Sequence, residues 1–499
     1  MGCAEDLVEQ AVAAALCMTE DGHEQLQSVF ANQPPSPTAQ RAATAALCAL
    51  LAEPWAYDYT RLLLTSEAAR AASDLRRLAG LPVPQTRWPL DGLACCSVRQ
   101  ARELYEPALA GRVKFLLDSS ADPNGLAASA GAWCGPPQSP LMCCAIHGWE
   151  VVAQTLLRAQ AAPSQTDLSN ATALHYAATH GEETMYNLLL GAAADPNQKD
   201  AYGRSATELL ATTGVALHFC RARGLGHPAG PQESGMPIRL PGASLSVKRF
   251  VEDFVALKRP ALLRREHRGT VGDDDGNGKS LPWSREDLAD AAGEARAMVS
   301  EIPYGADFGL DPSQETPTTL RDFLQATPQP PAKRQRCREQ QADRAYRPYF
   351  FVAVDKELQP QLARLLEAKL GVAVGGRVSW PFGEVQPAQS LPFTATTIQF
   401  AVGGEGSGSP MHFHQDALNL CLRGRKRWWL VPPSEAAFSR LHPLDALDMG
   451  TSANSARDCL EGACVFEQEE GDVVYVPDMW GHAVLNLEDH TACVAAEFA

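Results

Sequence analysis

Residues 403–433 read GGEGSGSPMHFHQDALNLCLRGRKRWWLVPP, and residues 471–487 read GDVVYVPDMWGHAVLNL. The first stretch contains His412 and His414, which are separated by one residue and therefore lie on the same face of a β-strand. The second stretch contains His482, which meets them only if its own strand lies alongside. Imidazole nitrogens suit transition-metal ions. The two stretches therefore predict a mainly-β domain with a metal site.

The sequence around these two stretches is strand-like. Short apolar runs such as RPYFFVAV at 347–354 and TTIQFAV at 396–402 alternate with turns that are rich in Gly and Pro. This pattern is typical of a β-sandwich or barrel. We place this domain at residues 238–499, and the Gly- and Pro-rich segment 221–237 before it is predicted to be a linker.

Residues 106–220 contain an internal repeat. Its openings, SPLMCCAIHG, TALHYAATHG and SATELLATTG, begin at residues 139, 172 and 205 and so recur every 33 residues. This period and this type of opening are typical of ankyrin repeats, in which each helix pair buries its apolar face by stacking on its neighbours. The exposed concave face and the hairpin loops predict a docking surface for a protein. We interpret the histidines of these repeats as hydrogen-bonding groups between loops rather than as ligands: His147, His175 and His180.

Residues 1–105 are rich in Ala and Leu, with apolar residues at helical spacing, as in AATAALCALLAEPW at 42–55. They predict helices that pack on the next domain and carry no chemistry of their own. The chain is thus predicted to be multidomain. A helical N-terminal region leads into an α-helical ankyrin solenoid, which is followed by the mainly-β domain.

The composition limits the classes of function. Hydrophobic residues make up 45% of the 499 residues and charged residues 20%, which is typical of a globular protein. A net charge of −16 argues against nucleic-acid binding, which needs Lys and Arg to neutralise phosphates. None of the 14 cysteines forms a Cys-x-x-Cys pair, so reduced thiols in a cytoplasmic or nuclear protein are predicted. No stretch approaches 18 consecutive apolar residues, so no membrane span is predicted.

The C-terminal motifs resemble those of the JmjC/cupin-like family of Fe(II)- and 2-oxoglutarate-dependent oxygenases, and most closely its small hydroxylase branch. The residues that carry the resemblance are GSGSPMH at 406–412, GRKRWWLVPP at 424–433, GDVVYVP at 471–477, WGH at 480–482 and Asn486. The resemblance implies a double-stranded β-helix that binds Fe(II) and 2-oxoglutarate. It maps the family's first histidine ligand onto His412 and the distal one onto His482.

The family's middle ligand is Asp or Glu, but this chain has His414 at that position. Three interpretations stay open. In the first, His412, His414 and His482 form a three-histidine site whose metal identity is open, because histidine suits Fe, Zn, Cu or Ni. In the second, the register slips and Asp416 is the carboxylate ligand two residues after His414. In the third, the metal site is lost and the barrel is a scaffold. Asp416 is also a candidate to hold an imidazole tautomer by a hydrogen bond.

The resemblance implies that Lys426 meets the distal carboxylate of 2-oxoglutarate. A lysine that points inward on a strand beside Trp428 and Leu430 is predicted to be buried, and a buried ammonium needs an anionic partner, which a dicarboxylate supplies. By the same resemblance, the hydroxyl of Ser409 binds that carboxylate. Three other residues match polar positions near the co-substrate: Asn419, Asn486 and Tyr349.

These residues predict an Fe(II)- and 2-oxoglutarate-dependent oxygenase that hydroxylates a protein, with the ankyrin repeats as docking module. Demethylation of N-methyl-lysine uses the same chemistry, but we rank it lower because no chromatin-reading module accompanies the barrel. An alternative of another class is a non-catalytic interaction protein with a degenerate metal site. His414 favours this alternative, whereas the retention of Lys426 and Ser409 argues against it, since a scaffold does not need them.

Overall fold

The chain divides into two compact units, Met1–Gly226 with Pro432–Glu435 and His227–Val431 with Ala436–Ala499. The predicted linker at 221–237 lies outside the described residues, as does most of the second half of the predicted N-terminal region. Within the described ranges, no helix has the length and apolar character to cross a membrane. The computed structural model describes residues 2–16, 20–31, 33, 36–52, 95–126, 138–212, 238–241, 245–256, 258–264, 283–301, 316–326, 347–379, 390–439, 441–444 and 463–498.

The described part of the first unit is mostly helical. Its N-terminal part forms α1 (Gly2–Leu16), α2 (Glu20–Ala31) and α3 (Pro37–Ala52), as its Ala- and Leu-rich sequence predicts. The elements that follow are the strand β1 (Cys95–Ser97), the helices α4 (Val98–Asp118), α5 (Pro140–His147), α6 (Glu150–Arg158), α7 (Ala173–His180), α8 (Glu183–Gly191) and α9 (Ala206–Thr212), and a short 3₁₀ turn (Pro433–Glu435).

The helix pairs α5–α6 and α7–α8 repeat one local design. The hydroxyl of Ser139 accepts a hydrogen bond from Met142 N at 3.3 Å and so caps the first turn of α5. Helices α5 and α7 both end at a glycine in the left-handed region, Gly148 with φ 67° and Gly181 with φ 76°. Glycine is favoured there because it has no Cβ to clash with the backbone. The 33-residue period of the sequence is therefore the interval at which the first helix of each pair begins and ends.

The loops of successive repeats are joined by hydrogen bonds. The imidazole of His175 bonds to the hydroxyl of Thr172 at 2.8 Å through Nδ1, and it lies 3.2 Å from the carbonyl oxygen of Arg204 through Nε2. In the same region, Ala201 N donates to the carbonyl oxygen of Ser169 at 2.7 Å. The predicted structural role of His175 is therefore confirmed.

The carboxylate of Glu106 on α4 caps the N-terminus of α6. Its Oε1 accepts hydrogen bonds from the backbone amides of Val151 and Val152. The side chain is buried, and burial raises the pKa of Glu106 to about 7 from the value of 4.5 that an exposed glutamate has. The folded protein therefore keeps this proton at pH values where the unfolded chain releases it.

The stability of this unit is expected to fall between pH 4.5 and pH 7, because the unfolded chain binds fewer protons than the folded chain in that window. The loss is about 1.4 kcal/mol per pH unit, or about 3 kcal/mol in all. Glu106→Gln mimics the protonated acid and removes this slope. The difference in unfolding free energy between Glu106→Gln and wild type should therefore grow with pH in chemical denaturation. A constant difference from pH 4.5 to 7.5 would contradict the prediction.

The second unit is mainly β. Its strands are β2 (Ile238–Pro241), β3 (Ala261–Arg264), β4 (Arg296–Val299), β5 (Thr316–Thr319), β6 (Tyr349–Ala353), β7 (Arg377–Ser379), β8 (Ser390–Gly403), β9 (Gly408–His412), β10 (Ala417–Arg423), β11 (Lys426–Val431), β12 (Ala437–Ser439), β13 (Cys464–Gln468), β14 (Val473–Val476), β15 (Gly481–Asn486) and β16 (Thr491–Phe498). Its helices are α10 (Val247–Phe250), which continues as a π-helix (Val251–Val255), α11 (Arg285–Ala292), α12 (Leu320–Gln325) and α13 (Pro360–Leu370).

Two sheets carry the architecture of this unit. The larger has the order β2-β3-β14-β10-β16-β8-β6, with β7 also paired to β8, and the smaller has the order β13-β11-β15-β9. The pairs are antiparallel except for β2 and β3. On β16, Val494 and Phe498 belong to the apolar core that includes residues of the four helices, such as Leu362. Cys493 and Ala495 alternate to the opposite face and line a cavity.

The strand register determines which side chains meet. His412 on β9 is paired with His482 on β15, and Lys426 on β11 is paired with Asn486 on β15. A close approach of β9 to β15 depends on Gly408, because a Cβ at this position would lie 2.2 Å from the carbonyl oxygen of Val484. The fold therefore places residues 403–433 and residues 471–487 side by side.

Candidate metal centre

Three imidazoles converge at one end of the cavity. The ring centroids of His412 and His482 are 4.2 Å apart, those of His414 and His482 are 4.7 Å apart, and those of His412 and His414 are 5.6 Å apart. Each ring offers one nitrogen, and these three nitrogens all lie within 4.8 Å of one another. Nitrogens this close are able to share one metal ion.

The backbone selects the tautomer of each ring. Nδ1 of His412 lies 2.8 Å from the carbonyl oxygen of Pro410, and Nδ1 of His482 lies 3.0 Å from that of Trp480. Nδ1 of His414 lies 2.8 Å from the carbonyl oxygen of its neighbour in sequence. A carbonyl oxygen only accepts, so each Nδ1 carries the proton and each neutral ring keeps its lone pair on Nε2. Backbone acceptors that orient metal-binding imidazoles in this way are usual around metal ions.

Burial keeps two of the rings neutral. Burial, together with the neighbouring His414, lowers the pKa of His412 to about 3. Burial and the two neighbouring imidazoles hold the pKa of His482 well below its usual range. A proton therefore does not compete for these lone pairs at neutral pH. The donor set of the described residues fits a divalent transition metal, since Fe, Zn, Cu and Ni all accept imidazole nitrogen.

Trp428 forms the wall behind His482. Its indole stacks on the ring of His482, with centroids 5.7 Å apart and an interplanar angle of 30°. The indole nitrogen donates to Oε1 of Gln468 at 3.0 Å, so the ring is fixed by a hydrogen bond as well as by packing. Trp428 is therefore part of the scaffold that holds His482.

The deep end of the cavity contains Lys426. Lys426 is 2% exposed, and its Nζ lies 2.9 Å from Sγ of Cys493, with Tyr349 in the same cavity wall. Burial lowers the pKa of Lys426, but Cys493 and Tyr349 raise it more, so the pKa is raised overall. Among the residues that the structure describes, no carboxylate forms an ion pair with this ammonium. The ammonium therefore stays protonated with no described carboxylate beside it, and the site fits an anionic ligand.

The other predicted co-substrate residues take different positions. Ser409 lies in the cavity wall, with its hydroxyl 3.5 Å from Nδ1 of His412. Asn419 also lines the cavity, and its Oδ1 is buried with no hydrogen-bond partner in the described parts of the chain. Asn486 is not part of the cavity lining, and its Nδ2 donates to the hydroxyl of Ser407 at 2.9 Å. Oδ1 of Asn419 only accepts, whereas its Nδ2, 3.9 Å from Sγ of Cys493, is the atom that can donate to an anionic ligand.

Asp416 lies outside the group of three imidazoles. Its Oδ2 forms an ion pair with Lys258 at 2.5 Å, and its Oδ1 accepts hydrogen bonds from the hydroxyl of Tyr475 at 2.6 Å and from Asp478 N at 3.1 Å. Both carboxylate oxygens are thus engaged by protein groups. Two residues of this region, Cys493 and Lys258, were not predicted from the sequence. No local pattern points to either, because both faces of β16 are apolar and buried, and Lys258 is 158 residues from Asp416.

Known proteins match both parts of the chain. Residues 105–200 match the family of ankyrin repeats in three copies, and residues 383–498 match the family described as a cupin-like domain. JmjC domain-containing protein 8 of Mus musculus is 30% identical over 158 residues, which are 28% of this chain and 56% of that protein. The chain therefore spans about half the length of this relative. The matches confirm the predicted repeats and the predicted cupin-like fold.

Two further relatives have names that state an activity. The 2-oxoglutarate and iron-dependent oxygenase JMJD4 of Danio rerio is 35% identical over 98 residues, which are 18% of this chain and 23% of that protein. Arginine-specific demethylase JMJ20 of Arabidopsis thaliana is 32% identical over 100 residues, or 18% of this chain and 21% of that protein. These names describe the relatives, and they support oxygenase chemistry as the general kind for the C-terminal domain.

Proposed function

We propose, from the premise that the chain carries ankyrin repeats at 105–200 and a cupin-like JmjC domain at 383–498, that it is an Fe(II)- and 2-oxoglutarate-dependent oxygenase. Its substrate is a protein that docks on the repeats, and its reaction is hydroxylation. One observation carries this proposal. Three imidazoles and a buried lysine without a carboxylate partner line the same cavity.

His412, His414 and His482 hold the metal through Nε2, because their Nδ1 atoms are committed to backbone carbonyls. Bound iron and 2-oxoglutarate supply the oxidising chemistry that hydroxylates a C–H bond. The engagement of Asp416 by Lys258 and Tyr475 favours this three-histidine set over the shifted register. Three neutral donors leave the full charge of a divalent ion in the cavity, which strengthens its attraction for an anionic co-substrate.

Lys426 binds the distal carboxylate of 2-oxoglutarate and supplies the charge that a buried dicarboxylate requires. The hydroxyls of Ser409 and Tyr349 add hydrogen bonds from opposite sheets of the barrel. Nδ2 of Asn419 donates to an oxygen of the ligand. Each of these side chains lines the cavity.

The second candidate is a non-catalytic interaction protein, and His414 at the position of the family's carboxylate ligand favours it. Both candidates use the ankyrin repeats for docking. They differ in metal uptake and in turnover of 2-oxoglutarate, so one experiment separates them.

The test uses the full chain, purified without oxygen and then loaded with Fe(II). Bound iron is measured by mass spectrometry, and succinate is measured after addition of 2-oxoglutarate and oxygen. The oxygenase predicts about one iron per chain and succinate formation that ceases with a chelator. The control is His490→Asn, which removes an imidazole at a turn outside the cavity and tolerates the positive φ of 59° at this position. Absence of metal and succinate in both proteins would leave the non-catalytic candidate.

A further inference from the structure

The middle imidazole lacks the support of a strand. His412 ends β9 and His482 lies within β15, so the β-ladder fixes both backbones. His414 instead lies in the connecting segment 413–416, between β9 and β10. Its position therefore depends on contacts that this segment makes with other parts of the domain.

Two backbone hydrogen bonds anchor the segment. Met479 N donates to the carbonyl oxygen of His414 at 3.1 Å, and Phe498 N donates to the carbonyl oxygen of Asp416 at 2.9 Å. Met479 lies just before β15, which carries His482. The segment that carries one imidazole is thus tied to the turn that leads into another.

The side chain of Asp416 makes the strongest of these ties. It joins the segment to Tyr475 on β14, to the backbone of Asp478 in the turn before β15, and to Lys258 from the segment before β3. Hydrogen bonds to an ionised group are roughly twice as strong as neutral ones. The carboxylate is partly buried, and Lys258 provides the charge that offsets its loss of hydration.

We propose that Asp416, held by Lys258, is a positioning residue that sets the place of His414 relative to His482. This inference rests on the proposed metal site, but it assigns Asp416 a role other than that of a ligand. Asp416 acts on the metal through the backbone of its own segment and the turn 477–480. The carboxylate of Asp416 therefore bonds to protein groups rather than to the metal, although it is close to His414 in sequence.

An aspartate in another turn of the same domain provides the control. Asp472 is 2% exposed, its Oδ2 accepts from Glu469 N at 3.0 Å, and it lies 3.9 Å from the partly exposed Arg264. Like Asp416, it therefore joins a backbone amide to a cationic side chain. It lies at the turn between β13 and β14 and does not line the cavity.

Metal affinity is the first measurement, with Co(II) as probe, by calorimetry and by the visible spectrum of the full chain. Asp416→Ala and Lys258→Met are expected to weaken Co(II) binding by about 10- to 100-fold, the effect typical of groups that orient metal ligands. Asp416→Asn keeps an acceptor and is expected to lose less, about 10-fold or under. Asp472→Ala should leave affinity and spectrum unchanged even if it lowers the melting temperature. Equal Co(II) affinities in wild type and Asp416→Ala would overturn the proposal.

Amide hydrogen exchange of the metal-free proteins tests the positioning role of Asp416 independently of metal binding. Asp416→Ala should speed exchange at the amides of Asp478 and Met479, whereas Asp472→Ala should not. Unchanged protection at both amides in Asp416→Ala would overturn the positioning role of Asp416, whatever the Co(II) affinities are. Failure of wild type to bind Co(II) would instead overturn the proposed function. Asp416→Asn and Lys258→Met keep the test decisive if Asp416→Ala does not fold.

Discussion

Replacing His482 by alanine is expected to weaken Co(II) binding by at least about 100-fold, because loss of a ligand costs more than loss of the groups that orient it. His482 is 3% exposed and is central to the group, with rings of His412 and His414 both within 4.7 Å. Its removal leaves two donors, which hold a divalent ion weakly. Calorimetry under nitrogen measures the change directly.

The control for this prediction must separate ligation from packing, because His482 also stacks on Trp428. His482→Gln keeps most of the volume and should lose metal as well, while His490→Asn should bind Co(II) like wild type. His414→Ala tests the unusual position, and a loss comparable to that of His482→Ala would support three histidine ligands. His414→Asp should bind Co(II) more tightly than His414→Ala, since a carboxylate is the donor that the resemblance implies at this position. Full Co(II) affinity in His482→Ala would contradict the proposed centre.

The parts of the fold that depend on local sequence patterns, such as a repeat period or strand alternation, were predictable from the sequence. The 33-residue period places Ser139 and Thr172 just before helices α5 and α7, and Gly148 and Gly181 just after them. Each of these residues acts through its own backbone or cap, so its role can be inferred without knowledge of its neighbours. The strand-like character of the C-terminal half was predictable for the same reason.

The cavity was predictable only in part. Alternation on β11 places Lys426 on the same face as Trp428, and both line the cavity. Cys493 is different, because either face of β16 is apolar and buried, and only the other sheet decides which face meets Lys426. Cys493 and Lys426 are 67 residues apart, so no local pattern connects them. Their roles toward a co-substrate stay predictions.

Asp416 shows why the alternatives for the middle ligand could not be resolved from sequence. Position 416 is two residues from His414, so alternation allows both side chains to face a metal. The structure gives the carboxylate to Lys258, which is 158 residues away in sequence. The spacing of residues around Asp416 therefore gives no indication that Lys258 is its partner. The competition between a metal and a lysine for one carboxylate is a tertiary effect.

Lys426→Met is expected to raise the KM for 2-oxoglutarate by about 100-fold or more, because breaking a buried charge pair costs about 3–5 kcal/mol and each 1.4 kcal/mol is tenfold. Methionine fills a similar volume without the charge, so the cavity keeps its shape. The Co(II) affinity should stay close to that of wild type, since Nζ bonds to Sγ of Cys493 rather than to an imidazole. Succinate formation at varied 2-oxoglutarate, together with calorimetry for the metal, measures the two effects separately.

A stability measurement on the same variant tells a binding role from a structural one. If Lys426 served only the fold, Lys426→Met would destabilise the ligand-free protein. If it is kept for an anionic ligand, 2-oxoglutarate should stabilise the wild type more than Lys426→Met, because only the wild type has a buried ammonium that pairs with the dicarboxylate. Lys356→Met, at an exposed position of the same unit, should alter neither stability nor KM. Equal stabilisation of Lys426→Met and wild type by 2-oxoglutarate, with an unchanged KM, would contradict the co-substrate role.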